Sequence, residues 1–521
     1  MFNRIPSIRP ENPFTSIREI VKAVIILKRL CALLLIVLVA ACTGPASDAF
    51  RFGLAGAPAN LDPRFATDAT SARINRLLYD RLVDFNDTFE PVPALADWEQ
   101  LSPTHYRFHL KTNEHPFHDG TMLTAHDVKA TYDFILNADN ASPHRASLTV
   151  INRIAVPSET SLDFFLHYPE PLFPGYLVIG IVPAHLIAAN HPLHERPIGS
   201  GPFSFLARPD ETRLHLLRIR DQRRFEFITV PDPTVRALKL MAGEIDMLQN
   251  DLPPELIGYL ENDSRLKVLR TSGTNFSYLG FSFDDAVTRQ AYVRRAIAHA
   301  INRREIIQYV LDGAARPAQS LLPPEHWAGA QDLDPITYDP EKARTLLHQA
   351  GYSRDDPVRI VYKTSSDPFR IRLATILQHQ LKSVGIDVDL RSYDWGTFYG
   401  DIKAGRFQMY SLAWVGIHTP DIFDYVFHSR SIPPNGANRG RFRSTQADAF
   451  IDRARAAPNL ETKQESYLQL QHHLADALPY VPLWYEDHIF IARREIEGFT
   501  MARDGNYDGL IHVRRSPPDA F

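Results

Sequence analysis

Cysteine is nearly missing from this chain: its 521 residues include 2, Cys31 and Cys42, both in the N-terminal segment. Everything after them is left without a disulfide and without thiol chemistry. A dominant charge is missing too. The net charge of −4 gives no reason to expect nucleic acid or an acidic membrane surface as a partner. No Gly-x-Ser-x-Gly elbow, His-Glu-x-x-His helix or Gly-Lys-Ser/Thr phosphate loop occurs, so nothing argues for an enzyme or a bound cofactor. Internal repeats and low-complexity tracts are absent. So is a long apolar run: residues 30–41 fall short of the about 20 that a bilayer span needs.

What is present has globular proportions, with 44% hydrophobic and 23% charged residues. The length suffices for two or three domains. Lys22, Lys28 and Arg29 precede the short apolar run, which fits the hydrophobic core of a secretory signal. Val39-Ala-Ala-Cys42 closes it with small residues before a cysteine and resembles a lipoprotein lipobox. On that reading Cys42 is the lipidated first residue of the mature protein and residues 43–49 are a tether. The alternative is an uncleaved membrane anchor.

The most informative stretch runs from Pro91 to Leu136. Tyr106, Phe108 and Leu110 alternate with Arg107 and His109, the pattern of a half-buried strand. Asp119-Gly120 is a turn signal. Thr124 can cap the next helix, with Asp127 as the reciprocal partner of a capping box. Val128, Thr131, Tyr132 and Ile135 then share one helical face.

Further along, strands are expected at 50–54, 162–167, 213–220, 225–230, 278–283, 358–362, 386–390 and 407–414. Helices are expected at 71–82, 234–242, 339–351, 369–384, 395–404 and 461–478, and one long helix at 293–311 closed by Gly313. Residues 140–157 read as polar and irregular. Strand–helix–strand over 358–390 is a βαβ unit, expected right-handed, and interleaved strands and helices argue an α/β protein.

The stretch PVPALADWE … YRFHLKTNEHPFHDGTMLTAHDVKATYDFI also resembles the signature of the family 5 extracellular solute-binding proteins of ABC importers. Leu61-Asp-Pro, Ala66-Thr-Asp-Ala, Pro197-Ile-Gly-Ser-Gly-Pro, Ala242-Gly-Glu-Ile-Asp, Tyr278-Leu-Gly-Phe and Asp339-Pro-Glu-Lys-Ala-Arg follow in that family's order. The resemblance implies a two-lobed, periplasmic-binding-protein-like α/β fold with discontinuous domains and a central ligand cleft. Lobe I is expected from 50–83, 190–275 and 480–515, with 84–189 as a small inserted subdomain. Lobe II is expected from 276–479, with hinge crossovers near Thr271 to Asn275 and near Leu478. The implied function is capture of a peptide-like or other small solute on the periplasmic side of the envelope and its delivery to permease subunits, the protein being held to a membrane by its lipid. The alternatives are a binder of metal chelates or haem, and a lipoprotein sensor or assembly factor.

Candidate ligand residues come partly from the resemblance and partly from strand ends. Thr67, Asp68 and Ala69 match the loop that faces the ligand, with turn and capping chemistry as the other reading. Trp395 and Trp414 are either cleft aromatics or core. Val415 and Gly416 follow the strand end, where α/β proteins bind ligands. In peptide-binding members an aspartate three residues after the cleft tryptophan clamps the peptide's amino group, and here that position is Ile417. Asp421 or Asp68 would have to replace it, or the ligand lacks an amine there. Arg439 reads as a solvated loop arginine that could otherwise meet an anion. His115 and His118 form an H-x-x-H pair, but a structural metal site wants about four ligands and no second pair is evident. His472 and His473 are read the same way, and no metal is expected.

Overall fold

The computed structural model describes residues 49–111, 116–353 and 355–516. The signal segment with Cys42 lies outside the described residues, as does His115. One sheet of 11 strands organises the rest. Its two central members are its longest, Leu266–Phe281 and Tyr480–Arg493, and they pair antiparallel along most of their length. Their register shifts twice, by one residue between Ser277 and Tyr278 and more widely between Thr271 and Asn275. Thr271 faces His488, but the next paired residue is Asn275, facing Glu486. The extra residues bulge out, and a bulge bends and twists its strand. Gly273 sits in the bulge, where an added Cβ would collide with the Glu486 carbonyl. Arg316 Nη1 donates to the Gly273 carbonyl at 2.8 Å, and the Asp487 N–H donates to Ala314 at 3.0 Å.

The wider break divides the sheet into two lobes. On one side Met247–Gln249, Phe50–Leu54, Arg223–Thr229, Arg213–Arg218 and Phe203–Asp210 continue the sheet; on the other come Met409–Trp414, Val358–Ser365 and Ile386–Tyr393. The cores follow the same division. Phe490 and Ala492 pack with Phe52, Leu77 and Leu216 in the first lobe. Val481, Leu483 and Trp484 pack with Leu279, Ile297 and Ile360 in the second. Tyr480 and Tyr485 fill that lobe's other core, with Phe423 and Tyr467. Each fully buried side chain of this size stabilises its lobe by roughly 1.5–3 kcal/mol. The chain therefore enters and leaves each lobe more than once.

A separate four-stranded sheet, Ala96–Ser102, His105–Leu110, Ser161–Leu166 and Ile151–Ser158, is inserted into the first lobe. Tyr106, Phe108 and Leu110 face its core and His109 faces out, as the alternation requires. Helix Ala125–Leu136 covers it, and the capping box is formed: the Thr124 side chain accepts from the helix N-terminus and Asp127 accepts from the Thr124 N–H at 2.8 Å. Val128, Thr131, Tyr132 and Ile135 are its buried face.

Three local expectations are corrected. Residues 140–157 hold helix Arg145–Leu148 and strand Ile151–Ser158. Register shifts between Ile151 and Arg153, and again after Ala155, spoil the period of two by which a strand is read. The single helix over 293–311 is two, Ala291–Ala300 and Arg303–Tyr309. Asn302 stops the first by capping the second, accepting from the Glu305 N–H at 3.2 Å. The strand expected at 278–283 starts far earlier, at Leu266.

Candidate functional site

Strand direction fixes where a ligand can sit. In the second lobe Val358–Ser365 runs parallel to Ile386–Tyr393 and to Met409–Trp414, so Ser365, Tyr393 and Trp414 end at one sheet edge. Trp414 is paired with Phe276, and Phe276 with Tyr485, which puts that edge at the break. In the first lobe Phe50–Leu54 is parallel to Arg223–Thr229 and Met247–Gln249. Gln249 pairs with Phe490, and Asn250 N–H donates to the Ile489 carbonyl at 2.8 Å, so these strands also end at the break. Open α/β sheets bind ligands beyond strand carboxyl ends. Here two sets of carboxyl ends face one another.

The second lobe's edge is aromatic. Trp395 opens helix Trp395–Ala404, whose cap Asp394 accepts from Thr397. It is 59% exposed and stacks on Tyr399 with 5.4 Å between ring centres. The Tyr399 hydroxyl accepts from Arg439 Nη2 at 3.2 Å. The Arg439 guanidinium lies 4.8 Å from the Trp414 ring centre, and its other arm donates to the Tyr278 hydroxyl at 3.2 Å. Trp395 and Trp414 are thus joined through Tyr399 and Arg439. Arg439 is buried, contrary to its reading as a solvated loop residue, and no ion pair to a carboxylate involves it among the described residues. Aromatic faces and phenol oxygens replace one. Val415 is exposed at the strand end, and Gly416 turns the chain at φ +68°.

The carboxylates tell a different story. Ile417 is buried in the second lobe's core beside Phe423 and Tyr467. Asp421 is engaged within the fold: it accepts from the Tyr176 hydroxyl at 2.7 Å and the Tyr467 hydroxyl at 3.0 Å. Lys463, fully buried, lies 4.0 Å from Asp421 and bonds Glu170 at 2.6 Å. Burial pushes the Glu170 carboxyl up, against the pull of Lys463. Glu170 and Tyr176 belong to the inserted unit, so this cluster ties that unit to the second lobe. Phe85 stacked on His418 and Phe89 stacked on His326 extend the contact, and the Trp327 backbone N–H donates to the Thr88 carbonyl at 3.0 Å. Burial lowers the His326 imidazole to about 4.

In the first lobe Asp68 is the cap of helix Ala69–Leu78, accepting from Ser71 at 2.9 Å. Thr67 and Ala69 on either side of it are exposed. His488, at the break, donates from Nε2 to the Arg503 carbonyl at 3.0 Å and accepts at Nδ1 from Asn250 Nδ2 at 3.0 Å, and burial lowers it to about 4. Glu486 opposite accepts from Ser277 at 2.8 Å and meets Arg370 at 3.4 Å. The described histidines of the two pairs have structural partners. His118 bonds the Gly201 carbonyl at 2.9 Å, His472 meets Asp332 at 3.0 Å and His473 meets Ser444 at 2.8 Å. Among the described residues no group of three or more His, Cys, Asp or Glu is placed to hold a metal ion.

Tyr399, Glu486 and Trp484 were not among the sequence candidates. Tyr399 carried a usable signal, one helical turn beyond Trp395. Trp484 carried none, because it sits in an apolar run that reads as buried strand.

Comparison with known proteins agrees with this geometry. The family model described as bacterial extracellular solute-binding proteins, family 5, middle, matches residues 89–432. The dipeptide-binding protein of Escherichia coli is 26% identical over 487 residues, covering 86% of this chain and 91% of its own. Two solved structures share the fold. One is the ABC transporter substrate-binding protein CtaP of Listeria monocytogenes, with TM-score 0.81, 22% identity and coverage of 90% and 99%. The other is NikZ of Campylobacter jejuni in complex with Ni(L-His), with TM-score 0.77, 23% identity and coverage of 90% and 100%. With two lobes meeting at facing strand ends and a family match over most of its length, the chain belongs to the family 5 bacterial extracellular solute-binding proteins, the substrate-binding proteins of ABC transporters.

Proposed function

We propose that this protein captures a peptide-like solute between its lobes and presents it to the permease subunits of an importer. The observation that carries the reading is the meeting of two sets of strand carboxyl ends at the wider break in the central strand pair, between Thr271 and Asn275. Thr271 to Asn275 and Glu486 to His488 are the crossing points and act as the hinge. The second crossing then lies beyond Leu478, and residues 480–485 belong with the second lobe.

The solute is one that does not depend on a carboxylate clamp for an ammonium group. Ile417 is buried, and Asp421 and Asp68 both have partners inside the fold. An unmatched ammonium would lose about 1.5–3 kcal/mol of charge-assisted bonding. Aromatic faces and strand-end backbone groups are the recognition surface instead. The Glu170–Lys463–Asp421 cluster joins the inserted unit to the second lobe and favours the closed form.

The test is small-angle scattering on protein unfolded and refolded to remove any bound solute. Saturation with a tryptic casein digest should reduce the radius of gyration and raise the melting temperature. If neither changes, the reading is wrong. We further propose that Cys42 carries lipid and holds the protein to a membrane on its periplasmic side. Cys42→Ser should move the protein from the detergent to the aqueous phase; unchanged partitioning would defeat the anchor.

A further inference from the structure

A cavity of about 190 Å³ opens on the cleft edge of the second lobe. Leu373, Leu377, Phe398, Leu412 and Leu483 give it apolar walls, and the exposed Trp395 is at its rim. Most polar groups around it are engaged. The Tyr362 hydroxyl donates to Ser411 at 2.8 Å, Ser277 donates to Glu486 at 2.8 Å, and Arg370 faces Glu486 at 3.4 Å. One is not. Trp484 lines the cavity, is 1% exposed, and its Nε1 has no hydrogen-bond partner. An indole N–H is a donor only. Leaving such a group buried and unpaired costs about 1–3 kcal/mol, and folded proteins seldom do so without a reason.

Size sets the occupant. An apolar cavity of about 150 Å³ accepts benzene. The space here holds a six-membered ring with a small substituent.

We propose that this cavity is a specificity subsite for a ring-sized apolar group bearing a neutral hydrogen-bond acceptor, and that the acceptor receives the Trp484 N–H. The inference rests on the cleft reading and names the kind of side group the solute buries there. A neutral acceptor suffices because Arg370, the charged residue of the cavity lining, already faces Glu486. The apolar walls give affinity for the ring, and the buried, unpaired indole donor gives direction. A ring without an acceptor enters but leaves the N–H unpaired; an acceptor without a ring leaves the leucine walls wet.

The experiment uses acetophenone and isopropylbenzene, which share one heavy-atom skeleton and differ in the carbonyl. Both are titrated by saturation-transfer NMR against the wild-type protein and Trp484→Phe. The quantity read is the ratio of the two affinities, because the compounds' different hydration cancels when that ratio is compared between proteins. Trp484→Phe should lower the acetophenone preference roughly fivefold and leave isopropylbenzene binding in place. Leu377→Trp, which fills the cavity, should abolish both. In the ¹⁵N-indole spectrum of the wild-type protein, acetophenone should move one buried tryptophan resonance that isopropylbenzene does not move in the same sense. This readout holds even if Trp484→Phe folds poorly. No binding of either compound, or a preference untouched by Trp484→Phe with no indole shift, would overturn the proposal. Neither probe requires lobe closure. Ring binding without closure on the casein digest would therefore sink the cleft reading alone, and closure without ring binding would sink the subsite alone.

Discussion

The second lobe presents two unlike faces. Toward the inserted unit it offers Lys463, Asp421 and Tyr467, and each finds its partner in the chain: Glu170 at 2.6 Å for the lysine, and the two tyrosine hydroxyls for the aspartate. Toward the cleft it offers Trp395, Trp414 and the cavity beside Trp484, where the Nε1 atoms of Trp414 and Trp484 are buried without acceptors. A face whose charges are matched internally is built to close and hold. A face with unmatched donors and exposed rings is built to be completed by something else. The residue types alone point the other way, since an aspartate near a cleft tryptophan looks like the ligand group and a tryptophan in an apolar strand looks like filler.

The largest effect should come from breaking the matched face. Lys463→Met leaves Glu170 buried without its cation, at a cost of about 3–5 kcal/mol. Urea unfolding should show the loss, and the double variant Lys463→Met with Glu170→Leu should recover most of it. A double variant as unstable as the single one would mean that the pair is not the cause.

Acid should act on the matched face, through His326, and on the break between the lobes, through His488. His326 and His488 are held near pKa 4 in the fold by burial, against about 6.5 when unfolded. The unfolded chain therefore binds more protons between those values. Their stabilisation is complete above about pH 6.5 and is lost as pH falls toward 4, by about 2–3 kcal/mol for each. Denaturation midpoints between pH 7.5 and 4.5 should fall, and His326→Gln should flatten part of the slope. A slope that His326→Gln leaves unchanged would mean that this imidazole is not held neutral.

Asp421→Asn should be milder, about 1–2 kcal/mol, because the amide oxygen keeps one tyrosine bond while the charge is lost. Smallest of all is Trp484→Phe, whose effect on stability should stay within about 1 kcal/mol because its N–H has no bond to lose. A cost of several kcal/mol would show that the indole is held by the fold and not waiting for a solute.

Much of the architecture was legible in the sequence. The alternation of Tyr106, Phe108 and Leu110, the Thr124–Asp127 box and the βαβ unit over 358–390 each depend on local periodicity and capping, which survive folding unchanged. What was not legible depends on non-local pairing. The irregular register of Ile151–Ser158 hides its period of two, and Asn302 ends one helix by starting another. The first half of Leu266–Phe281 reads as strand only once Tyr480–Arg493 lies beside it. The site divides in the same way. Trp395 and Trp414 were recognisable by type and by their position near strand ends. That Asp421 is engaged, that Arg439 is buried between rings and that the Trp484 N–H is free are facts of packing, set by residues tens to hundreds of positions away.

The central claim is that Asp421 belongs to the fold and that the solute is met without a carboxylate clamp. Calorimetric titration of paired free and N-acetylated di- to pentapeptides, on wild-type protein and Asp421→Asn, tests it directly. Acetylation should leave affinity within a few-fold, about 1 kcal/mol or less, and Asp421→Asn should preserve the preferences of the wild type. Tight binding of free peptides that acetylation abolishes, together with its loss in Asp421→Asn, would contradict the account.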